Sequence, residues 1–409
     1  MSPAFASSPE GRSQNRQIGD SKAPDAPALA HITDDFDRDV WCVMGLPIDR
    51  LTLPEAVIAI ETAIRDRRRL SFVTPNVNWL VRALKDPQAR RQVIESDLSL
   101  ADGTPLIAMA RILGVPLTGR AAGADLFEAL RRRPGFPGRR IGVFFFGGRD
   151  GSAIAAAQAV RDERGGLDSA GWLNPGHGDL DSMSGAEVVE KINAAAADFL
   201  VVALGAAKGQ NWIDRNQSLL NVPVIAHLGA VVDFTAGALR RAPPTVGRLG
   251  FEWLWRIGQD PALWRRYASD SFHLLGFCLT RLIPQLSLGR GRRANRPGTV
   301  EIQRSASGTE LRLTGDFAAG KLQSARDAFR IAAAAGSDAV LDFSSVDRID
   351  RSFLGLMLVL EKALLSRGAT IRVAGMNKKQ RLLFTRNAMN YPEASAAPAE
   401  MRIGRVDAR

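Results

Sequence analysis

The stretch Ile141-Gly-Val-Phe-Phe-Phe-Gly147-Gly148 decides how this chain folds. Six almost wholly apolar residues end on a glycine pair, and a helical pattern opens at Ser152. Such a run has no polar face, so both its sides are covered, as in a parallel strand sandwiched by helices. The form recurs at 198–204 and 222–228, each run followed by a glycine. Upstream, Leu70-Ser-Phe-Val-Thr74 runs into Pro75-Asn76, and the apolar run 98–101 closes on Asp102-Gly103. Ordered sequence is expected from about Val40, with a short strand and a turn at 45–49. Residues 53–67 and 79–94 have helical periodicity. Short apolar strands alternating with helices indicate an α/β domain with a mostly parallel sheet. In such sheets ligands gather at the carboxyl ends of the strands, where the Asn, Asp and Gly residues just named lie.

The character changes from Arg240 to Arg293. This segment holds ten Arg, only three acidic residues (Glu252, Asp260 and Asp270), and Trp253, Trp255 and Trp264. Leu275, Leu279, Leu282 and Leu286 fall at helical spacing, but Arg281 and Pro284 interrupt an apolar stretch already short for a membrane span. Arg, Trp and a Leu face suit peripheral contact with a membrane surface; a helical hairpin packed on the domain before it is the other reading. Residues 289–298 read as a linker. Beyond them, strands at 310–313, 339–343 and 370–373 alternate with helices at 321–335, 353–366 and 378–390, which predicts a small α/β sandwich. The expected organisation is a disordered leader (1–39), an α/β domain (40–239), a basic helical appendage (240–288), the linker, a second domain (299–393) and a flexible tail (394–409).

Composition narrows the function classes. With 54 Lys+Arg against 43 Asp+Glu, the formal charge is +11, which favours anionic partners. Cys42 and Cys278 form no disulfide framework, which suits a reducing cytoplasm. The four histidines show no metal-ligand spacing. The basic stretch comes with no recognised nucleic-acid module, so no nucleic-acid partner is expected. D-x-D pairs occur at Asp35/Asp37 and Asp179/Asp181, a form by which some transferases hold a metal and a diphosphate, but so short a match arises by chance.

Taken singly, the strand-end residues are weak signals. Asp102 before a glycine is an ordinary turn former, Asn76 an ordinary helix N-cap, and Gly147-Gly148 a plausible diphosphate cradle at a helix start. Their ordered series is more specific. Thr74-x-Asn76, Asp102-Gly103 and Arg120-x-x-Gly123-x-Asp125-Leu126 come first. Gly229, Asp233-Phe234-x-x-Gly237, Arg241-Ala-Pro, Glu252-Trp253-x-x-Arg256 and Pro261-x-x-Trp264-Arg265-Arg266-Tyr267 follow. This series resembles the WecG/TagA/CpsF glycosyltransferases over about residues 40–270. The run Val340 to Gly355 resembles the STAS domain of anti-sigma-factor antagonists.

The first resemblance implies an inverting, metal-independent transferase without a cofactor. Its donor would be a UDP-sugar of the N-acetylmannosamine, uronic acid or glucose class. Its acceptor would be a polyprenyl-diphosphate-linked sugar at the inner membrane face, in cell-surface polysaccharide assembly. Asp102 would be the general base. The substrate-binding set would be Thr74, Asn76, Gly103, Arg120, Gly123, Asp125, Gly147, Lys208, Gln210, Asp233, Arg241, Glu252, Arg256, Arg265 and Arg266, with the arginines on the diphosphate. One departure stands out. The family's Gly-x-Pro-Lys-Gln-Glu run is Gly205-Ala-Ala-Lys208-Gly209-Gln210 here, which puts an altered sugar preference in view. The second resemblance implies protein–protein contact, and it places Ser352 where such domains are phosphorylated or where a helix is N-capped. The alternative to an active enzyme is a scaffold in which the second domain recruits partners to a polysaccharide assembly complex.

Overall fold

The computed structural model describes residues 34–248, 251–261, 263–286, 296–305, 308–318, 320–394 and 402–406. Of the expected leader, 1–33 lies outside the described residues, as does most of the linker and tail. The thirteen strands among the described residues are β1 (Val40–Val43), β2 (Leu46–Asp49), β3 (Leu70–Val73), β4 (Leu98–Ser99), β5 (Ile141–Gly147), β6 (Leu167–Leu173), β7 (Phe199–Ala203), β8 (Val224–His227), β9 (Thr299–Ser305), β10 (Gly308–Phe317), β11 (Ala339–Ile349), β12 (Ile371–Ala374) and β13 (Arg402–Val406).

Strands β3 to β8 form one six-stranded parallel sheet in the order β4-β3-β8-β7-β5-β6. The uniform apolarity of β5 is explained by its two faces. Val143 and Phe145 enter one buried cluster with Phe72, Phe199 and Val201. Phe144 and Phe146 enter another with Leu200, Val202 and Trp212. Each fully buried aromatic contributes roughly 1.5–3 kcal/mol over its exposed state, which fixes β5 inside the domain, between β7 and β6. Every strand delivers its carboxyl end to the same edge of the sheet.

The smaller sheet runs β12-β11-β10-β9-β13, parallel from β10 to β12 and antiparallel through β9. Helices Gln323–Ala335, Arg351–Leu365 and Lys378–Arg386 cover it. Two of its strands differ from expectation. β9 was not anticipated because only Val300 and Ile302 alternate inward in a run otherwise polar. Residues 402–406, expected in a flexible tail, pair with β9 as an edge strand.

The amino-terminal part also departs from its reading. Residues 46–49 form β2 rather than a turn; the reversal is Met44-Gly45, both at positive φ. The periodic run 79–94 is two helices, Val77–Lys85 and Pro87–Glu95, because Pro87 starts afresh on an Asp86 cap. Residues 34–39 are structured. Asp35–Asp37 is a 3-10 turn with Phe36 buried, and Arg38 pairs with Asp49 at 2.7 Å inside the protein. Asp49 also accepts from the Ser99 amide at 2.7 Å, so this ion pair ties the chain start to the edge of the large sheet. Burial disfavours the Arg38 charge, but Asp49 more than offsets it and holds the guanidinium firmly protonated.

The two domains share a seam. Phe36, Val40, Cys42 and Ile94 belong to the buried cluster of the C-terminal domain. Helix Arg351–Leu365 lies on β1 so closely that a Cβ at Gly355 would come within 2.1 Å of the Val40 carbonyl oxygen. Arg90 forms a two-pronged pair with Glu361 at 2.8 and 3.2 Å, and the Tyr391 hydroxyl donates to the same carboxylate at 2.6 Å. Lys362 reaches Asp97 and Asp35, both at 2.8 Å.

Candidate active site

Asp102 is positioned by an extension of the sheet. Past β4 the chain keeps alongside β3, with Leu100 donating to the Val73 carbonyl at 2.9 Å and Asp102 to the Pro75 carbonyl at 2.8 Å. This sets Asp102 beside Asn76. Asn76 caps helix Val77–Lys85, its Oδ1 accepting from the Trp79 amide at 3.3 Å. Gly103, at φ +88°, turns the chain into helix Thr104–Ile112. Gly123 starts helix Gly123–Arg132 beneath the strand ends; a Cβ there would meet Leu228 at 2.4 Å and the Thr74 hydroxyl at 3.4 Å. Thr74, Asn76, Asp102 and Gly123 therefore line one cleft of about 600 Å³.

The charges around Asp102 are organised. Burial pushes its carboxyl up to about 6; Arg120 and Arg256 draw it down, and Glu252 and Asp125 push it further up. Arg120 donates to Glu252 and Asp125, both at 2.8 Å, and Arg241 pairs with the other oxygen of Asp125. Arg120 thus acts as a fork between two carboxylates. It stays near Asp102 as a positive charge, yet both its arms are engaged, and it is absent from the residues lining the cleft. Arg256 and Arg266 do line the cleft and rest on the rings of Phe234 and Tyr267. Among the described residues neither has a carboxylate within ion-pair distance, so their planar forks remain open to a phosphate.

The opposite wall comes from the ends of β5, β7 and β8. Arg149, just past Gly148, pairs with Asp260 at 2.8 Å and lies 3.5 Å from Asp233. Lys208 donates to the Gly178 carbonyl at 2.8 Å and pins the loop that brings Asn174 and His177 to the cleft. The departure at Gly209 has a local cause. A Cβ there would sit 2.1 Å from the His227 ring, so the helix of Lys208 and the imidazole fit only without a side chain. Burial, then Arg82, lowers His227 to about 4, which keeps the ring neutral at physiological pH.

Of the residues expected at a site, Thr74, Asn76, Asp102, Gly123, Lys208, Asp233, Arg241, Glu252, Arg256 and Arg266 meet in this cleft. Gly103 and Gly147 shape its backbone, with Gly148 rather than Gly147 at the surface. Asp125 and Arg120 stand behind it. Two more of the expected residues point away from it. Gln210 is buried and donates to Asp214 on the far side of its helix. Arg265 stacks on Trp264 outside the cleft. Asn78, Arg149, His227 and Gln259 line the cleft without having been singled out. Arg149 and His227 carried a readable signal, since each sits at the carboxyl end of a sheet strand.

Among the described residues no group of three or more His, Cys, Asp or Glu is placed to hold a metal ion. The D-x-D carboxylates have local partners. Asp179 accepts from the Ser182 amide at 2.9 Å, Asp181 pairs with Arg215, and Asp35 and Asp37 serve the domain seam. In the C-terminal domain the N-cap is Asp350, not Ser352. Its carboxylate accepts from the amides of Ser352 and Phe353. Ser352 is buried and its hydroxyl donates to Asp350 at 2.5 Å.

The model of the glycosyl transferase WecG/TagA/CpsF family matches residues 41–287, which takes in every strand of the large sheet and the basic helices after it. The chain belongs to this family. It is similar to the N-acetylglucosaminyldiphosphoundecaprenol N-acetyl-beta-D-mannosaminyltransferase of Bacillus spizizenii, 29% identical over 54% of this chain and 86% of that protein. The Staphylococcus aureus (strain MW2) protein of the same name is 26% identical over 55% of this chain and 85% of its own length. The Mlab STAS domain model matches residues 300–390. The chain is thus a WecG/TagA/CpsF transferase with a STAS-like domain behind it, and no helix among its described residues is long and apolar enough to cross a membrane.

Proposed function

We propose that this transferase moves a sugar from a UDP-sugar to a polyprenyl-diphosphate-linked acceptor, in one inverting displacement with Asp102 as the base. The observation that carries this reading is the Asp102 carboxyl, held beside Asn76 at the strand ends, in a cleft that the open guanidinium groups of Arg256 and Arg266 also line. An acceptor hydroxyl above Asp102 gives its proton to the carboxylate as its oxygen bonds to the anomeric carbon. The bond from that carbon to the UDP oxygen breaks on the opposite face, and its electron pair leaves with the diphosphate. A base with a pKa near 6 is ionised at neutral pH and still basic enough to assist. Charge grows on the leaving diphosphate, where Arg256 and Arg266 are placed to meet it. Arg120 sets the geometry of Glu252 and Asp125 and tunes Asp102. The relatives' printed activity supports N-acetylmannosamine as the first donor to test. Gly209, packed against the His227 ring at the cleft, is where a different sugar preference would arise, so the screen takes in other UDP-sugars as well. The test is a screen of UDP-sugars against a lipid-diphosphate-linked N-acetylglucosamine acceptor, with the anomeric coupling of the product read by NMR. Product of inverted configuration supports the reading; retained configuration contradicts it.

The appendage supports work at a membrane surface. Helix Leu263–Phe277 and its continuation bury Leu282 and half-bury Leu274 and Phe277 against the catalytic domain. Phe272, Leu275, Leu279 and Ile283 face outward, each more than half exposed. One face of this helix packs on the domain, as the hairpin reading expects, and the opposite face is left uncovered, which supports the membrane reading. The outer face, with the Arg-rich flank, is suited to the headgroup region of an anionic bilayer. The protein is expected to float with vesicles rich in anionic lipid. Phe272→Ser, Leu275→Ser and Leu279→Ser together are expected to reduce the bound fraction more than about tenfold, since each apolar side chain withdrawn from lipid forfeits roughly 1.5–3 kcal/mol. Equal flotation of the triple variant would sink the membrane reading.

A further inference from the structure

We infer that the STAS-like domain is an intramolecular brace that sets the cleft wall carrying Glu252, Arg256 and Arg266, with Asn387 and Arg351 as its positioning residues. The inference rests on the transferase reading for its kinetic consequences.

One helical run joins the Arg266 part of the wall to the domain, and helix Glu252–Gln259, which carries Glu252 and Arg256, packs on the start of that run through Trp253 against Tyr267, ring centroids 6.2 Å apart. Helix Leu263–Phe277, the π turn Cys278–Leu282 and the last turn Ile283–Gln285 continue without a break. Near its start, Arg266 lines the cleft, and Asp270 accepts from Asn78, itself a cleft residue, at 3.2 Å. At its end Gln285 is fully buried. Its Oε1 accepts from Asn387 at 3.1 Å and from Arg351 at 3.3 Å, both on the STAS-like domain. Its Nε2 donates to the Met44 sulfur at 3.6 Å, in the β1–β2 turn. Arg386 also donates to the Thr280 carbonyl.

The junction is sterically closed. A Cβ at Gly45 would lie 2.2 Å from the Asn387 carbonyl oxygen, and Asn387 is itself fully buried. A buried amide deprived of its partner is costly, so Gln285 is held to one position only while the STAS-like domain is docked. The helix start of that domain, with Ser352, lies in this covered face.

The test uses the full-length protein with Asn387→Ala, which removes the amide donor to Gln285, and Gly355→Leu, which wedges helix Arg351–Leu365 off β1. Asn387→Gln serves as the conservative control. Hydrogen exchange is read over 252–285, alongside steady-state kinetics with the donor sugar. Asn387→Ala and Gly355→Leu are expected to speed exchange over 252–285, to raise the donor KM about tenfold and to lower kcat with it, since the displaced arginines hold the diphosphate both before and during bond breaking. Asn387→Gln is expected to restore part of the KM. Faster exchange at the seam with protected 252–285 and unchanged KM would overturn the brace, as would a fall in kcat alone through a smaller folded fraction. If the unaltered protein turns over no UDP-sugar, the transferase reading fails, while the exchange data still decide the brace.

Discussion

Asp102→Asn is expected to lower kcat by about 10²–10⁴-fold, the range that a positioned general base contributes, with donor affinity held within about twofold. The amide keeps the shape of the carboxyl but cannot take the acceptor proton. The pH dependence has a definite sign. Burial raises the Asp102 carboxyl to about 6, so kcat/KM is expected to climb as pH rises through about 6 and to level off above it. In Asp102→Asn that limb disappears. Stability moves the other way. A carboxyl whose folded pKa lies above its unfolded value binds a proton more readily in the native state, so native stability falls as pH rises from about 4 to about 6. Above that window the ionised carboxylate is a net cost, on the order of 1–2 kcal/mol after allowance for its partial access to water. Asp102→Asn is therefore expected to melt at a higher temperature than the parent at pH 7.5 and at the same temperature near pH 4. Full activity in the variant, or a pH profile that keeps its limb near 6, would remove Asp102 from the role of base.

Arg120→Ala is expected to reduce kcat/KM by about 10²-fold and to move the acid limb above 6. Arg120 is the strongest attraction acting on the Asp102 charge. Its loss leaves Glu252 and Asp125 to push that carboxyl higher, so a larger fraction of the enzyme holds a protonated, inactive base at pH 6.5. Glu252 also loses its ion pair to the catalytic domain, while Asp125 keeps Arg241. Removing one member of a partly buried charge network costs more than the pair contributes, because the remaining charges stay poorly solvated. Arg120→Lys keeps the positive charge near Asp102 but lacks the planar fork that bridges two carboxylates at once. Its limb is expected to stay close to 6 while kcat/KM falls by a smaller factor. A pH–rate series on the three proteins separates the two roles. An Arg120→Ala profile with an unmoved limb would show that Arg120 does not tune Asp102.

The parallel sheet was legible because its strands are buried on both faces, and Ile141–Phe146 has no polar position to hide that. The cleft was legible for the related reason that strand carboxyl ends share one edge, which brings Thr74, Asp102 and Asp233 together across more than 150 residues of chain. What escaped depends on side-chain direction. Gln210 lies two residues past Lys208 in helix Ala206–Asn216, on a face turned to Asp214 instead of the cleft, and spacing alone does not give rotation. Arg120 was assigned to the diphosphate because it is an arginine in the right place; its arms turn out to be engaged by Asp125 and Glu252. The docking of the STAS-like domain was not visible at all. Its contacts join residues such as Arg90 and Glu361, or Cys42 and Asn387, hundreds of positions apart, and no local periodicity encodes such a pair.

The most direct measurement is transfer of a labelled sugar from its UDP donor into the lipid-extractable fraction, with a polyprenyl-diphosphate-linked N-acetylglucosamine as acceptor. Label is expected to enter that fraction with the intact protein and to stay out of it with Asp102→Asn. UDP release without label in the lipid fraction, or equal labelling by the two proteins, would contradict the account.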